Sequence, residues 1–160
     1  MLAARVFKFT LVVGQSIGQR AVGFLQGDTD LSLNGQSKFA ALTAAREREV
    51  RTRFDYWISD GRNPRWFHGW PDLTKYKKCF TFKWRENRQH QRLYGFLHHP
   101  KQKTHPRFQV CVLIFHDEKN EDETDFSILD RLNQLRKDLL VIAAINKEFP
   151  EERSKAKWVQ

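Results

Sequence analysis

Three cations stand where side chains of two neighbouring strands would meet: Lys83 and Arg85 in the segment Cys79–Arg85, and Arg92 in the segment Gln91–Leu97. In the first segment Phe80, Phe82 and Trp84 alternate with Thr81, Lys83 and Arg85, the period of a strand whose two faces differ. Arg92, Tyr94 and Phe96 repeat that period in the second. Side chains directly across a strand pair lie about 5 Å apart. Like charges held that close repel unless an anion lies between them. A phosphate group is one such anion. The other arrangement is an acidic neighbour such as Glu86 pairing with Arg92 while the remaining cations are solvated.

His116 closes the apolar run Phe108–Phe115 and precedes Asp117-Glu118-Lys119. A histidine where a strand leaves the core titrates in the right range for general acid–base work. The same position also suits a structural histidine satisfied by the carboxylate beside it. Further basic side chains, Arg85 and Arg88 near the first hairpin and Lys101, Lys103 and Arg107 in the loop His98–Arg107, suit contacts to a phosphate backbone. Such contacts position a nucleic acid without reading its sequence. An exposed hairpin connection would have the same composition. His98, His99, His105 and His116 have no recognised metal-ligand spacing, so neither a metal site nor a cofactor is expected.

The elements that must hold these residues read as follows. Arg5–Val13 is β-branched and aromatic, a strand ended by Gly14. Ile17, Ala21, Phe24 and Leu25 fall on one face of a short helix, with Gly27 at its C-terminus and a turn over residues 28–35. Residues 36–59 predict one long helix, and residues 61–72, with two prolines and two glycines, predict a loop whose Trp66, Phe67 and Trp70 fold back on the core. Three strands follow, the last an apolar run of the kind covered on both faces. Thr124-Asp125 caps a second long helix whose stripe Ile128, Leu132, Leu135, Leu139 and Ile142 runs on to Pro150. The expected fold class is α+β: an N-terminal strand and helices, a mainly antiparallel sheet of about four strands and a C-terminal helix. Residues 1–150 form one domain and 151–160 a charged tail.

The chain has 160 residues, long enough for one buried core. Its 28 Lys and Arg against 19 Asp and Glu give a net charge of +9, which favours a polyanionic partner, nucleic acid before anionic membrane. Aromatic residues make up 13%, which argues against disorder and offers rings for bases to stack on. No apolar run approaches the roughly 18 residues of a membrane span, and the N-terminus lacks a signal-peptide pattern, so no membrane partner is expected. Cys79 and Cys111 read as small core residues of a cytoplasmic protein.

The order of these segments resembles the RelE/HigB superfamily of toxins from type II toxin–antitoxin systems, especially its phage-derived branch. Cys79–Arg85 is similar to the family's lysine-bearing strand, Gln91-Arg92-Leu93-Tyr94 to the following strand, and Val110–Lys119 to the apolar strand before the last helix. The likeness spans residues 5 to about 138 and is specific over 73–120. It implies a metal-independent endoribonuclease that cleaves messenger RNA, commonly on the ribosome, and a cognate antitoxin as protein partner. It further implies that Lys83 belongs to the phosphate-binding and catalytic set and that Arg92 holds the scissile phosphate. Lys119 would lie beside the leaving group and His116 would do acid or base work. Thr81 stands where the family has a first strand lysine, and no tyrosine follows Tyr94, which leaves the general base unassigned. The competing expectation is a non-catalytic RNA- or DNA-binding or protein-interaction domain of the same fold.

Overall fold

The computed structural model describes residues 5–14 and 19–151. The strands are β1 (Phe7–Val13), β2 (Arg20–Gly27), β3 (Phe67–Gly69), β4 (Cys79–Glu86), β5 (Gln89–His98) and β6 (Gln109–Lys119). The helices are α1 (Gly35–Ala40), α2 (Ala44–Ile58), α3 (Phe126–Leu135) and α4 (Leu139–Glu148). All six strands join one mixed sheet in the order β1-β2-β6-β5-β4-β3. Only β2 and β6 run parallel; every other neighbouring pair is antiparallel.

The fold is therefore α+β, with six strands among the described residues rather than about four. The first addition is β2, where a helix was expected; Ile17, the first residue of that expected stripe, lies outside the described residues. Ala21 and Leu25 enter one core cluster while Val22 and Phe24 enter the other, so the segment is apolar on both faces. A strand covered on both sides carries no polar stripe, and short apolar runs of that kind do not distinguish helix from strand. The second addition is β3, three residues inside the expected 61–72 loop that pair with Phe80–Phe82 at the sheet edge. It lies between Pro64 and Pro71, as suits a short edge strand.

Both long helices are broken. Thr43 ends the run after α1 and caps α2, its side chain accepting from the Arg46 amide at 3.3 Å. Asp125 caps α3 as expected, but Asp138 opens a separate α4 by accepting from the amides of Leu140 and Val141. The apolar stripe was thus read across a cap, and Leu139 is 81% exposed. The Glu151–Gln160 tail lies outside the described residues except for Glu151.

Helices cover both sides of the sheet. Leu129 and Leu132 of α3 and Val141 and Ile145 of α4 pack on Tyr94, Phe96, Val110 and Val112. Phe39 of α1 and Val50, Phe54 and Trp57 of α2 pack on Phe80, Phe82, Leu93 and Leu113. Between β5 and β6 the register shifts at Tyr94/Gly95, where β6 holds one extra residue. Gly95 is required there, because a Cβ would lie 2.1 Å from the Val112 carbonyl oxygen. Cys79 and Cys111 are free and buried in different clusters on opposite faces, and burial pushes the Cys79 thiol up to about 11. Among the described residues, no helix is long and apolar enough to cross a membrane.

The β4–β5 hairpin turns through Asn87 and Arg88, both left-handed, with φ of 52° and 64°. Two such residues suit the turn type that matches strand twist, but arginine holds the conformation against strain. Arg88→Gly is expected to raise stability by about 0.5–1 kcal/mol in urea unfolding without loss of the hairpin. Burial lowers the pKa of His68, His98 and His116 below the ordinary 6.5. The unfolded chain therefore binds protons more readily than the folded one at these three sites, and stability rises with pH. Their contribution is complete above the unfolded value and is lost as pH falls through 6.5 toward the folded values. The urea midpoint is expected to drop between about pH 7.5 and about pH 5.5.

Candidate functional site

Strand register decides which side chains meet. Lys83 lies directly opposite Arg92, and Arg92 directly opposite Asp117, so these three form one row on the α3–α4 side of the sheet. The next row toward the hairpin is Arg85, His90 and Lys119. The row on the other side is His68, Thr81, Tyr94 and Phe115. Lys83, Arg85, Arg92 and Lys119 therefore share one face at one end of the sheet, next to the hairpin.

An anion lies among them, and it belongs to the protein. Arg92 is only 5% exposed; its guanidinium donates to the carboxylate of Asp122, to the Tyr94 hydroxyl at 3.2 Å and to Thr124 Oγ1 at 3.5 Å. Burial works against the charged guanidinium, but Asp122 and Tyr94 outweigh it and hold the Arg92 pKa above its ordinary value. Burial likewise pulls the Lys83 pKa down, opposed by Asp122 and reinforced by Arg92. The hydrogen bond from Arg92, then the charges of Lys83, Arg92 and His90, keep the Asp122 carboxyl below its usual range despite partial burial. Lys119 lies 3.6 Å from Asp117 and 3.8 Å from Asp125. The acidic segment Glu121–Asp125 thus supplies the counter-charge of this rim, in place of the expected Glu86, whose carboxylate pairs with Lys38 at 3.3 Å.

His116 does not join the group. It lies opposite Leu93, on the α1–α2 side, where its Nε2 is 2.6 Å from Gln91 Oε1 and its ring 6.1 Å from that of Trp84. The charges that shift its titration after burial are Lys38, Glu118, Asp117 and Glu86, with neither Lys83 nor Arg92 among them. The structural reading of His116 fits this place; the acid–base reading beside Arg92 does not, because the sheet separates them.

The loop residues also lie elsewhere. His98 is six positions along β5 from Arg92, about 20 Å at strand rise. Lys101 is buried with its ammonium 5.6 Å from the Phe108 ring centroid, so it is no surface phosphate contact. Lys103 and Arg107 are exposed at that far end, where the amides of Lys103 and Thr104 donate to the Glu151 carboxylate. Arg88 is exposed on the hairpin, and its carbonyl accepts from Arg85 Nη2 at 3.4 Å.

No protein-family model, curated protein or solved structure matches the chain. Its chemistry is read from the side chains themselves.

Among the described residues no strand flanks the outer edge of β4 beyond Phe82, because β3 begins at Phe67 opposite it. A cleft of about 610 Å³ opens there, lined by Arg53, Arg65, Trp66, Lys83, Arg85 and His90, with Glu49 and Asp122 as its acids. Two contacts build it: the Lys83 amide donates to the Trp66 carbonyl at 2.8 Å, and Arg53 Nε donates to the Lys83 carbonyl at 2.8 Å. Arg53 also stacks on Trp66 at 4.8 Å from the ring. The cleft joins two tryptophans, Trp66 and Trp84, to five basic side chains, a combination also found in grooves that hold single-stranded nucleic acid.

The sequence reading missed Asp122, Arg53, Arg65 and His68. The acid run after β6 was a visible signal for the first. The others depended on β3, which is too short to register as a period. Among the described residues no three His, Cys, Asp or Glu side chains are grouped to hold a metal ion. His116→Ala is expected to lower stability by about 1 kcal/mol through loss of the Gln91 hydrogen bond.

Proposed function

We propose that the chain binds single-stranded RNA along the cationic rim and cleaves it without a metal, in the manner of the RelE/HigB-like toxins it resembles. One observation carries the reading: Lys83 and Arg92 are directly opposed on neighbouring strands. Two cations in that relation are unfavourable unless an anion lies near both, and Asp122, half exposed, pairs with Arg92 and lies within electrostatic reach of Lys83. A phosphodiester offers the same charge and the same acceptor oxygens, and the forked guanidinium of Arg92 suits it.

On this reading Arg92 and Lys83 stabilise the charge that develops on the phosphoryl oxygens during attack by the ribose 2′-hydroxyl. Lys119 and Arg85 flank the same rim, while Trp66 and Arg65 in the cleft receive the neighbouring nucleotide. RNA must displace Asp122 from Arg92 to enter. The ribosome and a cognate antitoxin as partners rest on the resemblance alone.

A second reading, a non-catalytic nucleic-acid-binding domain, is favoured by the burial of Arg92 against Asp122 and by the absence of His116 from this face. Cleavage of an end-labelled single-stranded RNA separates the two. Arg92→Ala and Lys83→Ala are each expected to slow cleavage about a hundredfold. Asp122→Asn is expected to tighten RNA binding about tenfold, since it removes the competing anion. RNA bound with a steep salt dependence but left intact would select the second reading. Wild-type affinity and rate in both alanine variants would remove the rim from either.

A further inference from the structure

We infer that His68 is the proton acceptor for the 2′-hydroxyl of bound RNA, an assignment that rests on the ribonuclease reading above. His68 is directly opposite Thr81, which is itself opposite Tyr94, so its imidazole stands on the face that carries Lys83 and Arg92 and one row away from them. Residues 61–72 read as a loop in the sequence, so the alternation there gave His68 no place in a strand row.

Its tautomer is set by a neighbour. Nδ1 lies 2.9 Å from the Gly69 carbonyl oxygen, which only accepts, so the proton of the neutral ring is on Nδ1 and the lone pair is on Nε2. Nε2 has no hydrogen-bond partner among the described residues and is not sealed from solvent. The ring is held in place by Trp70, edge-on at 4.9 Å, and Trp70 in turn stacks on Tyr94 at 6.3 Å. A fixed imidazole with an unused, solvent-reaching lone pair, one row from Lys83 and Arg92 and within their electrostatic reach, suits a general base.

The charged groups that shift the titration of His68 are Lys83 from β4, Arg92 from β5 and Asp122 from the segment after β6, with Tyr94 in its own row, and Arg20, Asp60 and Arg62 line the cleft it borders. Burial is the largest influence on its titration and lowers it. The Gly69 carbonyl and Asp122 raise it, and Lys83 and Arg92 lower it further. The net effect keeps the ring neutral near pH 7, the protonation state that a base requires. When RNA displaces Asp122, its phosphate takes over the role of the nearby negative charge.

The 2′-oxygen forms a bond to phosphorus as its proton passes to Nε2 of His68. The bond from phosphorus to the 5′-oxygen breaks, and that oxygen takes a proton from water. The products are a 2′,3′-cyclic phosphate and a 5′-hydroxyl, and His68 returns its proton to solvent.

The test uses the full chain, an end-labelled single-stranded RNA, and the same sequence as DNA, which has no 2′-hydroxyl. The wild type is expected to cut only the RNA, leaving a 2′,3′-cyclic phosphate. Its rate should climb with pH to a plateau through an apparent pKa below 6.5. His68→Ala and His68→Gln are expected to lose at least about a hundredfold in single-turnover rate while RNA affinity stays within about twofold. Added imidazole should restore part of the rate of His68→Ala. A wild type that binds RNA and never cuts it overturns the ribonuclease reading and this role with it. A cutting wild type matched by both variants, or with a pH-independent rate, overturns the role of His68 alone. So does a rate lost together with affinity and not rescued by imidazole.

Discussion

Coverage of both faces of the sheet constrains everything else in this molecule. With α1 and α2 on one side and α3 and α4 on the other, the middle of every central strand is sealed. A polar side chain there has no water, so charge is confined to the rim, the hairpins and the edges. The cationic row at Lys83 and Arg92 lies where helix cover runs out toward the β4–β5 hairpin, and the cleft opens where β3 stops short of the end of β4. Fold geometry thus dictates the place of the candidate site before any chemistry is considered.

Arg92 is the member of that row with least freedom. A guanidinium withdrawn from water is costly unless charge and hydrogen bonds compensate it. Here Asp122, Tyr94 and Thr124 do so together. The segment that supplies two of those groups continues directly into α3, whose first turn is capped by Asp125. Electrostatics at the rim and the start of a core helix are therefore held by the same few residues. An incoming anion competes with the protein's own acids rather than entering an empty hollow.

Much of this was legible in the sequence. The alternation in Cys79–Arg85 and Arg92–Phe96 correctly predicted strands, their hairpin and the convergence of Lys83 with Arg92, because a period of two fixes which side chains share a face. What was missed had a physical cause in each case. β2 is apolar on both sides, so it carries no period to read. The cap residues Thr43 and Asp138 interrupt stripes whose spacing continues across them. β3 is three residues long, and without it neither the position of His68 nor the open edge of β4 follows. Lys101 looked like one of several loop cations, and nothing in its type announced that it would be buried.

The extra residue in β6 has an outcome beyond local geometry. Counted strictly from Val112, alternation would send His116 to the side of Arg92 and Asp117 to the side of Gln91. The additional position between Val112 and Phe115 reverses that parity for the remainder of the strand. Whether an imidazole or a carboxylate stands next to the buried guanidinium is therefore decided by whether the count is odd or even. The same strand paired without that extra position would set His116 opposite Arg92, altering the chemistry of the rim without replacing any residue in it.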